Sequence, residues 1–331
     1  MQYKGALMTN KVVHNVVYIL GAGFSAPLGL PVVSNFWEKS QDLYREDTER
    51  YKSFRHIFKI REELNAVKNR FAADLSNVEE ILSILEMNSR LNPDPNNPDP
   101  DTALKRFEEY IKQVIIGYTP PLPERSEFFP SNWASNLFTG SNTNKSALNR
   151  YAVFVGSLLN LQLVEKSASP PDSSTRIIRR LPNPNPSISY SIITLNYDLV
   201  VENFKTYWEK FSYLQGGGGD KPFALDVQDI VDPLDPLSIA KLHGSVNEDV
   251  IVLPTWNKHL RTEILLGWQT AYGLLAKADH IRIIGYSLPA NDAYMKYLLK
   301  AAVQKAEYLK RIDVLCLDSS GEIEKRYRDF I

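Results

Sequence analysis

The sequence predicts an α/β fold, a parallel sheet with helices on both faces, interrupted by a long and largely helical inserted region. Three observations carry that expectation. Four short apolar runs of β-rich composition each end in a cluster of Gly, Ser, Asn or Asp. Segments with helical periodicity, such as Asp292 to Gln304, lie between them. The polar clusters all follow their runs, which gathers them on the carboxyl edge of one sheet, where open α/β folds form their ligand crevice.

The first run, Val16-Val17-Tyr18-Ile19-Leu20, has the length of a buried strand and opens into Gly21-Ala22-Gly23-Phe24-Ser25-Ala26-Pro27-Leu28-Gly29-Leu30-Pro31. Ser34 stands where it would cap a helix whose apolar side carries Phe36, Trp37 and Leu43. The pattern stays mostly helical to about residue 165. Its clearest segment puts Val78, Ile81, Leu82 and Leu85 on one face, with Asn77 and Glu80 spaced as a capping box. Proline-rich stretches at 91–101, 119–130 and 167–186 read as exposed connections, and the basic run Arg176 to Arg180 within the last reads as a solvated loop.

The period then changes. Ser187 to Leu195 is β-rich and ends at Asn196-Tyr197-Asp198. Ile281 to Ile284 ends at Gly285-Tyr286-Ser287, and Asp313 to Leu317, with Cys316 inside it as a buried strand residue, ends at Asp318-Ser319. Gly216 to Gly219 reads as a flexible link. The expected organisation is one α/β domain from residues 1–35 and 187–331, with a helical insertion at 36–186.

Composition removes several classes of function. A net charge of -1 over 331 residues gives no electrostatic support for nucleic-acid binding. The single cysteine forbids an internal disulfide and a cysteine zinc cluster. No signal-peptide pattern opens the chain, and no run approaches the ~20 apolar residues of a membrane span, so a soluble cytoplasmic protein is expected.

The turn Gly21-Ala22-Gly23-Phe24-Ser25-Ala26 fits the dinucleotide pattern G-x-G-x-x-G/A, in which small residues let backbone amides approach a pyrophosphate. Any strand-to-helix turn also favours glycine. A dehydrogenase would place a second strand and a ribose-binding acid about 20 residues on; here residues 38–60 are charged and helical in character. Hydride transfer therefore loses ground, while a nucleotide site on an open sheet survives. Asn196 and Asp198 supply an amide and a carboxylate suited to ribose hydroxyls. His243, in Leu242-His243-Gly244-Ser245, stands apart from His14, His56, His259 and His280 because a glycine turn follows it directly, and imidazole is a base near neutral pH.

These segments in order, GAGFSAPLGLP, TLNYD, LHGS and IGYSLPAND, resemble the SIR2-like family, in particular its bacterial defence members that consume NAD. The resemblance covers residues 16–35, NVEEILSILE at 77–86, 187–204 and 239–331. It implies a Rossmann-like sheet with NAD as substrate and no metal. Gly21, Ala22, Gly23 and Ser25 would surround the diphosphate and nicotinamide ribose. Asn196 would position that ribose and the nucleophile beside Asp198, and His243 would be the general base. Gly285 and Ser287 would touch phosphate or ribose, with Asp318 and Ser319 near the adenosine half. Asp292 matches a family position, yet reads first as a helix cap.

Two departures separate this chain from sirtuin deacylases. No cysteines stand between the asparagine motif and the later strands to build a zinc ribbon, and Pro31-Val32-Val33-Ser34-Asn35-Phe36-Trp37 replaces the Asp-Phe-Arg that follows the glycine turn. The resemblance implies an NAD+ hydrolase acting in antiviral defence, a homo-oligomer working with a HerA-type ATPase. The alternatives are a non-catalytic scaffold that senses NAD or ADP-ribose, and a deacylase or ADP-ribosyl transferase.

Overall fold

The computed structural model describes residues 14–67, 74–91, 101–122, 144–167, 174–180, 188–213, 223–225, 237–248, 251–252, 264–290 and 292–331. Gly216 to Gly219 and His259 lie outside them. Five strands, β1 (His14–Leu20), β4 (Ile188–Thr194), β6 (Ser238–Lys241), β7 (His280–Ile284) and β8 (Arg311–Leu315), form a wholly parallel sheet in the order β6-β4-β1-β7-β8. β1 lies at the centre, with the next two strands stacked outward on one side and the last two on the other. This is a Rossmann-like order, and the reversal between β1 and β7 is its switch point.

Alternation along β1 divides the core in two. Val16, Tyr18 and Leu20, with Ile192 of β4, face a cluster that continues into the helical region; Val17 and Ile19 face a second cluster with Ile193, Ile281 and Ile283. Both faces of β1 are buried, which is why its sequence is a continuous apolar run rather than an alternating one. On the second face lie the helices 265–276, 293–303 and 322–330, which supply Ala271, Leu298 and Tyr327.

The region between β1 and β4 is mainly helical: α1 (Ala22–Ser25), α2 (Phe36–Glu46), α3 (Phe54–Val67), α4 (Val78–Leu91), α5 (Asp101–Tyr118) and α6 (Asn144–Leu158). Phe36, Trp37 and Leu43 are buried as expected, but Ser34 sits in a 3-10 turn, and Asn35 precedes α2 with its side chain turned back to accept from Val32 N at 2.8 Å. Asn77 does cap α4, accepting from Glu79 N at 2.9 Å, and Val78, Ile81 and Leu82 are buried. α4 and α5 reach the face of the sheet that holds Tyr18 and Leu20 through Ile81, Phe107 and Val114.

Three expectations are corrected. Arg176 to Arg180 is not a loop: residues 174–180 form β3, antiparallel to β2 (Leu161–Ser167) and parallel to β5 (Phe223–Leu225), in a second, three-stranded sheet. Backbone pairing with β2 and β5 supplies what composition alone concealed. β6 was missed because Ser238-Ile239-Ala240-Lys241 is too short and too polar to register as an apolar run. The last strand ends at Leu315, two residues earlier than predicted, so Cys316 follows it and is half-buried. β8 is an edge strand, with Val314, Leu315 and Leu317 exposed, and an edge cannot bury both faces.

The remaining helices are α7 (Val200–Tyr213) after β4, α8 (Leu265–Ala276) before β7, α9 (Ala293–Val303) between β7 and β8, and α10 (Glu322–Phe330) after β8. Among the described residues no helix is long and apolar enough to cross a membrane.

The switch point is closed by glycine. Gly21 N donates to Ile284 O at 3.0 Å and Gly23 N to Gly285 O at 2.9 Å. A Cβ on Gly21 would lie 2.6 Å from Gly285 O, one on Gly23 would lie 2.8 Å from Gly285 Cα, and one on Gly285 would strike Gly23 and the Phe24 amide. Gly285 also has φ +66°, in the left-handed region. Gly285→Ala is therefore expected to cost about 2–4 kcal/mol. Gly273→Ala in α8, where nothing lies within 4 Å of the added carbon, should gain up to about 1 kcal/mol. Urea unfolding midpoints of the two variants check both signs.

Candidate active site

The carboxyl ends of the five strands lie in a row. Leu20 pairs with Thr194 and with Ile284, Thr194 with Lys241, and Ile284 with Leu315. The parallel ladder extends one step past β4 and β6, with Leu195 N bonded to Leu20 O and Leu242 N to Thr194 O, both at 3.0 Å. The turns LHGS, LNYD, GAGFS, GYS and DSS therefore emerge side by side, and three adjacent ones converge.

Asn196 is the hub. Its Nδ2 donates to Gly21 O at 3.0 Å and to Ser25 Oγ at 3.3 Å, and its amide N donates to Thr194 Oγ1 at 3.1 Å. Ser25, itself buried, accepts from Asn196, and its hydroxyl donates a hydrogen bond to the Asp198 carboxylate. Asp198 also caps α7, accepting from Val200 N at 3.0 Å. The result is a buried relay from the β1 turn to the β4 turn, Asn196 to Ser25 to Asp198.

Burial pushes the Asp198 carboxyl above its ordinary range, and nearby Glu202 adds to that push. The Ser25 hydroxyl, the Val200 amide and the Lys241 ammonium oppose it without cancelling it. Lys241 is mostly buried at the end of β6, where Nζ donates to Asp198 O at 2.5 Å and to Glu202 Oε1 at 2.9 Å. Lys241 thereby ties the β4 turn to the β6 turn.

His243 is tied to the residue before Asn196. Its Nδ1 is 3.0 Å from Leu195 O. A carbonyl only accepts, so Nδ1 carries the proton and the lone pair of the neutral ring is on Nε2. Gly244, at φ +78°, turns the chain back so that Val252 N bonds His243 O at 2.9 Å. Tyr197 packs its ring 6.0 Å from the imidazole, and its hydroxyl donates to Val252 O at 3.0 Å. Ser245 is fully buried, and its hydroxyl has no hydrogen-bond partner among the described residues.

Ser25, Asn196 and Asp198 are thus brought together with His243 beside them, while Gly21, Gly23 and Gly285 form the interlock under them. The amides of Gly21, Gly23 and Phe24 are all spent inside the fold, the last on Gly21 O at 2.9 Å. Close approach of two turns therefore accounts for these glycines without a phosphate. Ala22 is half-buried and Gly23 exposed at the mouth of the turn.

The other predicted residues lie towards β8. Ser287 is half-buried, and its carbonyl accepts from Arg326 at 3.4 Å. Asp318 caps α10, accepting from Glu324 N at 2.8 Å and from Ser320 Oγ at 3.3 Å, and these bonds hold its carboxyl below the usual range. Ser319 is exposed. Asp292 is a helix cap, bonded to Met295 N at 3.3 Å, and it accepts from Tyr286 OH at 2.7 Å.

Residues of the helical region reach the same edge of the sheet. The Tyr151 hydroxyl donates to Phe24 O. Lys112 Nζ donates to Glu248 O at 2.6 Å, in the loop that follows His243. Burial raises the Tyr197 phenol, and the charges of Glu79, at the start of α4, and of Glu108 add to it; the Tyr286 phenol is raised by burial and then by Asp292, with Glu79 contributing least. Sequence reading missed all three, because in one dimension Tyr151 and Lys112 look like ordinary helical positions. Only the NVEE stretch, within the resemblance, pointed towards Glu79.

No family model matches this chain, and no curated protein does. Among the described residues no cluster of three His, Cys, Asp or Glu side chains is placed to hold a metal ion.

Because the folded state holds the Asp198 proton more tightly than the unfolded chain does, stability present below the ordinary carboxylate range is lost as pH rises through the raised folded value. Asp198→Asn is expected to unfold at higher temperature than the wild type at about pH 7, with the margin shrinking towards about pH 3. Thermal unfolding across that range measures it.

Proposed function

We propose that this protein is an NAD+ hydrolase that cuts the bond between nicotinamide and ribose. The observation that supports this most is the convergence of Ser25, Asn196 and Asp198, with His243 beside them, on the carboxyl edge of a parallel sheet at its switch point. These are the residues on which the SIR2-like resemblance rests. Nicotinamide leaves NAD+ as a neutral base, taking the electron pair of the C1′–N bond, so departure needs little acid catalysis. A sugar cation remains to be stabilised and quenched.

Asp198 supplies the nearest negative charge for that cation. Water adds at C1′ and gives its proton to Nε2 of His243, which the Nδ1–H bond to Leu195 O keeps in the basic tautomer. The products are nicotinamide, ADP-ribose and a proton. The buried Ser245 hydroxyl, without a partner among the described residues, would suit a polar guest, a water or a ligand group, in the turn that follows His243. On the same resemblance we place the chain as a cytoplasmic effector subunit in antiviral defence, homo-oligomeric and gated by a HerA-type ATPase.

One observation favours a second reading, a non-catalytic subunit that binds NAD or ADP-ribose. Both donors of the Asn196 side chain are spent inside the fold, which leaves only its carbonyl oxygen for a substrate. Nicotinamide release by purified protein, alone and with candidate ATPase partners, separates the two. The hydrolase predicts NAD+-dependent release that falls about a hundredfold or more in His243→Ala, with ADP-ribose as co-product. Release that is absent in every condition, or unchanged in that variant, leaves the binding subunit.

A further inference from the structure

Helix α6 belongs to the inserted region, yet it carries a side chain that touches both halves of the candidate site. The Tyr151 hydroxyl donates to the carbonyl of Phe24, the residue between Gly23 and Ser25. Its ring meets Phe24 edge-on with centroids 4.9 Å apart and stacks on Phe204 of α7 at 6.3 Å. α7 is the helix that Asp198 caps.

The two helices are held close. Trp208 Nε1 of α7 donates to Ala152 O at 2.8 Å, and a Cβ on Gly156 of α6 would lie 3.1 Å from the same indole. Burial, followed by the charge of Asp198, raises the Tyr151 phenol, so its hydroxyl stays protonated and remains a donor. Tyr151 therefore bridges the loop that carries Ser25 and the helix that begins at Asp198.

We propose that Tyr151 is a positioning residue: by holding the Phe24 carbonyl it sets Ser25 Oγ between Asn196 and Asp198, and so couples the helical insertion to the geometry of the site. The catalytic part of this inference rests on the hydrolase reading; the structural part does not. Tyr151→Phe removes only the hydroxyl and leaves the ring to pack on Phe24 and Phe204. A Ser25 displaced by a fraction of an ångström would loosen its bonds to Asn196 and Asp198, and placement errors of that kind slow chemistry more than they weaken binding.

The test uses the full chain with Tyr151→Phe. Turnover in nicotinamide release should fall about tenfold while KM for NAD+ changes less than about threefold, with the pH profile keeping its shape. Hydrogen exchange of the Ser25, Ala26 and Leu28 amides in the ligand-free protein should speed up about tenfold, with protection elsewhere unchanged. Unchanged turnover overturns the proposal, and so does a lost limb of the pH profile, which would make the phenol a proton donor.

If the wild type releases no nicotinamide, the hydrolase reading fails by itself. Exchange at the same amides and equilibrium binding of ADP-ribose then decide the positioning role, which falls if neither changes in the variant. Should Tyr151→Phe not fold, 3,5-difluorotyrosine at position 151 keeps ring and hydroxyl but ionises more readily. Loop protection that then falls with rising pH, where the wild type's does not, supports the inference, and parallel behaviour overturns it.

Discussion

The contact between the turn after β1 and the turn after β7 governs the rest of this structure. Two peptide segments cross at van der Waals distance, with Gly21 and Gly23 donating to Ile284 and Gly285 across the gap. No side chain fits between them, because a Cβ on any of the three glycines would meet backbone. Backbone has nowhere to retreat, unlike the end of a flexible side chain. The central strand and the strand across the switch point are thus locked in register at their carboxyl ends, and everything that emerges from those ends inherits that alignment.

The polar site is one consequence. Asn196 reaches back from β4 to the Gly21 carbonyl, which is where it is because Gly21 is pinned to Ile284. From there Ser25, Asp198 and Lys241 follow in a chain of bonds that leaves little uncompensated. Burying a carboxylate is costly, and the raised Asp198 carboxyl records that cost even after three favourable partners. Asp198 serves the fold as the cap of α7, and a buried carboxylate there is also what the proposed hydrolysis would use against its sugar cation.

The helical region is not an appendage on this sheet. Its apolar faces complete the cluster that covers Tyr18 and Leu20, and it places Tyr151, Lys112 and the charge of Glu79 at the edge where the strands end. Residues far from the motifs in sequence therefore stand at that edge. Chemistry that depends on the motifs is exposed to any force acting on α5 or α6.

Reading along the chain recovered much of this. Strand 14–20 was legible because a strand covered on both faces writes itself as a continuous apolar run, and 188–194 and 280–284 because short β-rich segments there end in polar turns. Asn77 and Asp292 were legible as caps because capping is local, decided within a single turn. Ser34 failed as a cap because a 3-10 turn takes up residues 33–35 before α2, whereas β3, β6 and the end of β8 were misread because edge position and cross-strand pairing decide them and neither is written locally.

The same division runs through the site. By itself the sequence determined which residue types stand at the strand ends: glycines, Ser25, Asn196, Asp198 and His243. Only the tertiary structure decided their company. It spent the glycine amides on the neighbouring turn, joined Asn196 to Asp198 through Ser25, turned Asp318 and Asp292 into helix caps, and brought Tyr151 in from the insertion. The reason is physical: a residue's chemistry is its own, but its hydrogen-bond partners and its dielectric surroundings belong to whatever the fold packs against it.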